Sequence, residues 1–402
     1  MHLNPIVLLV LFFYSSSLSF SQPCISLQEI DRDGDGDGII DSRTITTNTF
    51  DSDGNLIFSI VETDSDVDGT IDFITTTTNT FDSAGNLLLS ISKTDGVIDG
   101  KTTITNTFDS EGNLLTSITE IDRDLDGTTD LVNTRANSYN SDGTLYSSIL
   151  EIDFNGDGMS DFVQTITDIY DNEGNLVNRT TVVDNDGDGA VDRISIANSF
   201  FDNQGNLLMS ISEDDNDLDG TIDSKLTRTN TFDSEGNLIV SIAERDNDAD
   251  GVIDEIRTTT NTFDSERNLL TSINETDNDL DGTIDLIITL TYSYNRDGTL
   301  ESTIAEIDSD GDRISDFLQT ITNIYDNNGN LLTETIEVDS NGDGEVDRFT
   351  RTTNTFDDSC IESIDPIPIP TLGQWGLFHL FLILCISGLV ALRSFKSESI
   401  VA

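Results

Sequence analysis

The chain has 402 residues, with 76 Asp and Glu against 19 Lys and Arg, for a formal net charge of -57. That balance excludes nucleic acid as a partner, because phosphate recognition needs clustered basic residues, and it disfavours adsorption to anionic membrane surfaces. Strong acidity with few aromatic residues is also the composition of disordered chains. Here, however, the acids recur at fixed positions between Thr-, Ile- and Leu-rich runs, and a strict period marks a repeat fold.

In chain order the first element is an apolar run from Ile6 to Tyr14, followed by a Ser-rich stretch and a small-x-small site at Ser19-Phe20-Ser21. Residues 1–21 therefore read as a secretory signal peptide. Secretion places the rest of the chain in an oxidising compartment, where Cys24 and Cys360, which bracket the repeats, are free to form a disulfide if the fold brings them together.

Residues 29–357 form an array of about eleven repeats, each built on two alternating signatures. One is a turn motif, Phe81-Asp82-Ser83-Ala84-Gly85-Asn86-Leu87, which recurs from Phe50, Phe108, Tyr139, Tyr170, Phe201, Phe232, Phe263, Tyr294 and Tyr325, with an incomplete copy at Phe356. Asp, two polar residues and Gly-Asn predict a type I turn followed by Gly at positive φ, the chemistry of a tight antiparallel hairpin. Arg267 replaces that glycine once and is expected to strain or reshape its turn. The flanking segments are β-branched and alternate: Leu87, Leu89 and Ile91 share one face, with Ser90 and Ser92 on the other.

The second signature is the acidic loop D-x-D-x-D-G-x-x-D, whose closing Asp returns every 31 residues except for one step of 27, from Asp72 to Asp99. The expected ligands are Asp33, Asp35, Asp37 and Asp41 in the first loop, then Asp64, Asp66, Asp68 and Asp72 in the second. Beyond the short loop they continue as Asp122, Asp124, Asp126 and Asp130, then Asp153, Asn155, Asp157 and Asp161, then Asp184, Asp186, Asp188 and Asp192. The next sets are Asp215, Asp217, Asp219 and Asp223, followed by Asp246, Asp248, Asp250 and Asp254, and by Asp277, Asp279, Asp281 and Asp285. The last two are Asp308, Asp310, Asp312 and Asp316, and Asp339, Asn341, Asp343 and Asp347.

Carboxylates this close repel one another unless a cation sits among them. Ca²⁺ suits the pattern, since it takes six to eight oxygens in forgiving geometry, whereas Mg²⁺ demands a strict octahedron and zinc prefers His or Cys. Four sites depart from the pattern: the loop closing at Asp99 lacks its first half, Arg313 replaces the loop glycine in another, and Asn155 and Asn341 each lower the charge of their own site.

Strand, turn, strand and loop, repeated, predict an all-β chain: a long antiparallel β-meander of 31-residue repeats, curled or spiral. An open array is expected, with one apolar face to be covered by curling or folding over. Tyr139 to Arg193 returns at Tyr294 to Arg348, an offset of 155 residues, so a five-repeat block has been duplicated.

Residues 358–368 form a linker, and residues 369–396 carry Ile369-Pro370-Thr371-Leu372-Gly373-Gln374-Trp375-Gly376, an apolar run from Leu377 to Leu392, then Arg393 and Lys396. Alone this is a short membrane span with its basic end inside. The order of motif, span and basic residues resembles the IPTL-CTERM sorting signals of Gram-negative bacteria, with every fixed position matched. The resemblance implies an exosortase-type sorting protease as partner, transient anchoring in the inner membrane and delivery to the cell surface or extracellular matrix.

The acidic loops resemble the calcium loops of FG-GAP repeats. They are also similar to thrombospondin type 3 repeats, without that family's cysteines, and the turn motif resembles YD (Rhs-type) repeats. These resemblances imply calcium loops that join strands, and a β-sheet shell. Together the features predict a secreted, non-enzymatic, calcium-binding stalk, matrix component or adhesin, with surface polysaccharide or other surface ligands as partners. An extracellular polysaccharide-active enzyme is the alternative, but His2 and His379 both lie in removable segments and no acid pair stands outside the repeats. A second alternative is an ice- or glycan-binding face on Thr-rich strands such as Thr75 to Thr78.

Overall fold

The computed structural model describes residues 25–96 and 99–356. The signal peptide, Cys24, the linker, Cys360 and the sorting segment lie outside these residues.

Each repeat folds as the alternation of its side chains dictates, into two nine-residue strands. The chain begins with β1 (Ile25–Asp33), β2 (Ser42–Phe50), β3 (Leu56–Asp64), β4 (Phe73–Phe81) and β5 (Leu87–Asp95), and it ends with β22 (Arg348–Phe356). Every strand pairs antiparallel with its sequence neighbours, and among the described residues there is no helix.

The sheet is closed. β1 pairs with β22 as well as with β2, with Ile30 opposite Thr352 and Ile25 opposite Phe356. The expectation of an open meander is therefore corrected to a 22-stranded antiparallel barrel. The physical cause lies in the register. Leu27 faces Thr47, and Thr47 faces Ile60, so the neighbour two strands on lies 33 residues along the chain although the period is 31. Each repeat slips by two residues, and eleven such slips give a stagger equal to the 22 strands. A barrel with equal stagger and strand number has strands tilted by about 37° and a radius of roughly 20 Å. Closure also removes the two exposed edges that an open array would keep.

The second correction concerns which face is covered. The least exposed strand side chains lie on one face: Ser59, Ser148, Ser241, Thr276, Thr303, Gln319, Ile321 and Asn354. The exposed Leu27, Ile74, Ile118, Ile149, Ile196 and Ile242 lie on the other. The small and polar row therefore lines the inside of the barrel, and the Leu-Leu-Ile row, expected to be covered, faces outward. Thr rows flank it: Ile60 sits between Thr47 and Thr76, and Ile91 between Thr78 and Thr103. Apolar stripes one strand wide thus alternate with hydroxyl-bearing ones. A continuous apolar cluster occurs inside, where Ile307, Phe317, Ile321, Ile336 and Val338 pack with Leu286 and Ile288.

An asparagine ladder ties the repeats together from inside. The Asn79 side-chain amide donates to the Leu56 carbonyl at 2.8 Å, Asn137 to Leu114, Asn261 to Leu238 and Asn354 to Leu331. Asn48 does the same to the carbonyl of Ile25. These carbonyls sit where register shifts next to each turn, such as the one between Thr80 and Phe81, interrupt the sheet ladder. In β10 (Phe162–Tyr170) Asp168 takes the asparagine position, and its buried carboxylate instead accepts two hydrogen bonds from Arg179 at 2.7 and 2.8 Å. Asn261→Ala leaves the Leu238 carbonyl without its donor. It is expected to cost about 1–2 kcal/mol, read as a lower denaturant midpoint at unchanged slope.

Candidate metal centres on the acidic rim

Alternate connections close on opposite rims. On one rim each turn is built as the sequence predicts: the Asp51 N–H donates to the Asn55 carbonyl at 2.9 Å and the Gly54 N–H to the Asp51 carbonyl at 3.2 Å, with Gly54 at φ 83°. Asp51 accepts the N–H groups of Asp53 and Asn55 and the Asn55 side-chain amide. Arg267 holds the same geometry at φ 70°, with the Arg267 N–H donating to the Asp264 carbonyl at 3.2 Å, so its turn carries strain without being reshaped.

These bonds hold the carboxylates of Asp51, Asp82, Asp109, Asp171 and Asp202 below the usual 3.8, the Asn side-chain amide being the largest cause and the Asn backbone N–H the next. A folded-state pKa below the unfolded one adds stability that is present above the unfolded value and is lost as pH falls through the folded value. The barrel is therefore expected to keep its sheet signal down to about pH 4 and to lose it in more acid solution, followed by circular dichroism.

The opposite rim carries the acidic loops. In each, the ninth carboxylate reaches back across the loop, as Asp72 Oδ2 accepts the Ser65 N–H at 2.8 Å and Asp223 Oδ2 the Asn216 N–H at 2.6 Å. The first carboxylate holds the loop glycine, as Asp64 Oδ2 accepts the Gly69 N–H at 3.0 Å. The fifth carboxylate is engaged elsewhere: Asp68 accepts both the N–H and the hydroxyl of Thr70, and Asp126 those of Thr128. These Thr contacts, the hydroxyl first, hold Asp68, Asp126, Asp219 and Asp281 below the usual carboxylate pKa.

Of the four acids expected in each loop, the structure brings together the first, third and ninth in at least four loops. Carboxylate oxygens of Asp64, Asp66 and Asp72 lie within 4.8 Å of one another, as do those of Asp122, Asp124 and Asp130, of Asp184, Asp186 and Asp192, and of Asp215, Asp217 and Asp223. In the first loop the converging set is Asp33, Asp35 and Asp37. In the short loop Asp99 accepts the Gly96 N–H and Asp95 pairs with Lys93, which leaves no comparable set among the described residues there. Three convergent carboxylates with hard oxygens only, and no His or Cys, fit Ca²⁺.

Sequence reasoning missed two features. The asparagine ladder was hidden because Asn79 sits among threonines and reads as one more polar strand residue. The buried Asp168–Arg179 pair was hidden because its partners lie on neighbouring strands.

No protein-family model matches the chain, and no curated protein does. Among solved structures, a porin-like protein from Bacteroides uniformis shares 11% identity over 84% of this chain and 99% of its own, with a TM-score of 0.27. The Photorhabdus luminescens Tc holotoxin pore shares 14% over 80% of this chain, with a TM-score of 0.27, and this chain spans 18% of it. Pseudomonas aeruginosa OccK1 (OpdK) shares 9% over 82% of this chain and 96% of its own, with a TM-score of 0.20. TM-scores this low carry no argument about fold or function. The structure is an all-β, closed antiparallel barrel with converging carboxylate sets in the loops of one rim.

Proposed function

We propose that this is a non-enzymatic, calcium-stiffened barrel of the Gram-negative cell exterior, serving as a structural shell, matrix component or adhesin module. The observation that carries this reading is the rim, where convergent carboxylate sets recur from repeat to repeat around a closed ring. A catalytic site needs a few distinct groups in one place, whereas a rim that repeats itself suits a distributed structural ion. The signal peptide and the tail that resembles a sorting signal support export and an exosortase-type protease as processing partner.

One observation favours a second reading, a membrane pore: the inside is polar and the outside carries the apolar row, as in outer-membrane barrels. The dimensions weigh against it. On β3 the outward apolar residues Leu56, Phe58 and Ile60 are followed by Glu62 on the same face. Four residue steps cover about 13 Å along a strand, against an apolar band of about 25 Å in membrane barrels. Thr stripes interrupt the row on both sides as well. No helix among the described residues is long and apolar enough to cross a membrane, which says nothing of a barrel.

Flotation of the secreted chain with lipid vesicles in millimolar Ca²⁺ separates the readings. The shell is expected to stay in the aqueous fraction; recovery with the vesicles, together with conductance steps in a bilayer, would replace it by the pore.

A further inference from the structure

The acidic loops are of two structural kinds, divided by their fourth residue. Gly stands there in five of them, at Gly36, Gly156, Gly187, Gly311 and Gly342, with φ between 68° and 74°. A larger residue stands there in the other five, at Val67, Leu125, Leu218, Ala249 and Leu280, with φ between 52° and 57°.

In the Gly loops the chain lies against the neighbouring loop of the ring, which for Gly36 is the last loop, at Val346 and Asp347. A Cβ added at Gly156 would meet the Thr129 carbonyl oxygen at 1.8 Å, and one at Gly187 the Ser160 carbonyl oxygen at 1.7 Å. This course turns the fourth N–H onto the first carboxylate: Gly36 donates to Asp33 Oδ1 at 2.7 Å, Gly156 to Asp153 Oδ1 at 2.6 Å and Gly187 to Asp184 Oδ1 at 2.7 Å. That oxygen is thereby satisfied by the protein itself.

In the other five loops it is not. Oδ1 of Asp64, Asp122, Asp215, Asp246 and Asp277 is buried and has no hydrogen-bond donor among the described residues. Asp64 and Asp246 are only 8% and 5% exposed. A buried carboxylate oxygen without a partner costs several kcal/mol, and a cation is the partner that removes the cost.

An independent observation in the sequence agrees. Asn155, Asn341 and Arg313, the substitutions that weaken a calcium site, all fall in Gly loops, whereas the five others keep Asp at every ligand position.

Resting on the calcium reading, we infer a division of labour on the rim. The loops that begin at Asp64, Asp122, Asp215, Asp246 and Asp277 are the high-affinity calcium sites. The five Gly loops are clasps that hold their form without metal, lock each repeat to its neighbour around the ring and lie outside the tight calcium set.

The test is calorimetric titration of the metal-stripped full chain with Ca²⁺ alone. About five ions per chain are expected in the tight phase. A matched pair of exposed third-position variants sharpens it, since Asn keeps the acceptor oxygen that Asp217 offers to the Asp219 N–H and Asp186 to the Asp188 N–H. Asp217→Asn is expected to remove one ion from the tight phase or weaken one of its sites at least tenfold, and Asp186→Asn to leave the number and affinity of the tight-phase ions as they are. Ten equivalent ions, or equal effects of the two variants, would overturn the division and leave the calcium reading standing. No binding by a chain with intact sheet signal would overturn both.

Discussion

On the proposed calcium reading, stripping metal from the folded chain with a chelator is expected to move its cooperative melting transition to a much lower temperature or abolish it. The expected size follows from linkage. At free calcium ten times the dissociation constant, each site adds about 1.4 kcal/mol, and five sites add about 7 kcal/mol. A whole domain is typically stable by about 5–15 kcal/mol, so five bound ions would account for a large share of the folding free energy. Two further terms act in the same direction. Stripping restores the repulsion among loop carboxylates in a chain of net charge -57, and it leaves five buried oxygens without a partner. Differential scanning calorimetry with and without chelator measures the effect. Restoring Ca²⁺ recovers the transition, whereas Mg²⁺ at equal concentration recovers little of it, because Mg²⁺ gives up its waters reluctantly.

Gly156→Ala unfolds or severely weakens the barrel, while Leu125→Gly one loop earlier is tolerated. The two changes touch the same loop position in the two kinds of loop. At Gly156 the backbone has φ +69° and the added Cβ would lie 1.8 Å from a backbone oxygen of the preceding loop, so the substitution adds strain to a clash that no flexible side chain can relieve. A cost on the order of 3 kcal/mol or more is expected. At Leu125 the native residue already holds φ 57°, a conformation that glycine adopts without penalty. Urea denaturation in saturating calcium compares the two, and a smaller loss for Gly156→Ala than for Leu125→Gly would contradict the clasp.

Much of this architecture was legible in the sequence. The Gly-Asn turns predicted hairpins, and Phe81-Asp82 to Asn86-Leu87 closes one between β4 and β5 with Gly85 at φ 84°. The spacing of Asp64, Asp66 and Asp72 predicted a convergent loop, and the three do converge.

Closure was not legible, because it depends on the two-residue slip between Leu27 and Ile60, a property of pairing that a repeat period does not encode. The facing of the strands was hidden for a related reason. Alternation at Leu87, Leu89 and Ile91 defines two faces but does not say which becomes concave, and here the Asn79 row, which must reach the Leu56 carbonyl, takes the inside. The difference between Gly loops and the others stood in plain view at the fourth position. Its meaning emerged only from the approach of Gly156 to Thr129, a contact between repeats.

Small-angle scattering of the full chain, with and without calcium, tests the central claim most directly: that calcium on the acidic rim holds a closed ring together. For a chain of 402 residues the compact state has a radius of gyration of about 22 Å, somewhat more for a hollow barrel, and the unfolded chain about 70 Å. The expected result is a compact, hollow particle in millimolar Ca²⁺ that expands several-fold on chelation and contracts again when calcium is restored. An identical scattering curve in the two conditions would contradict the claim.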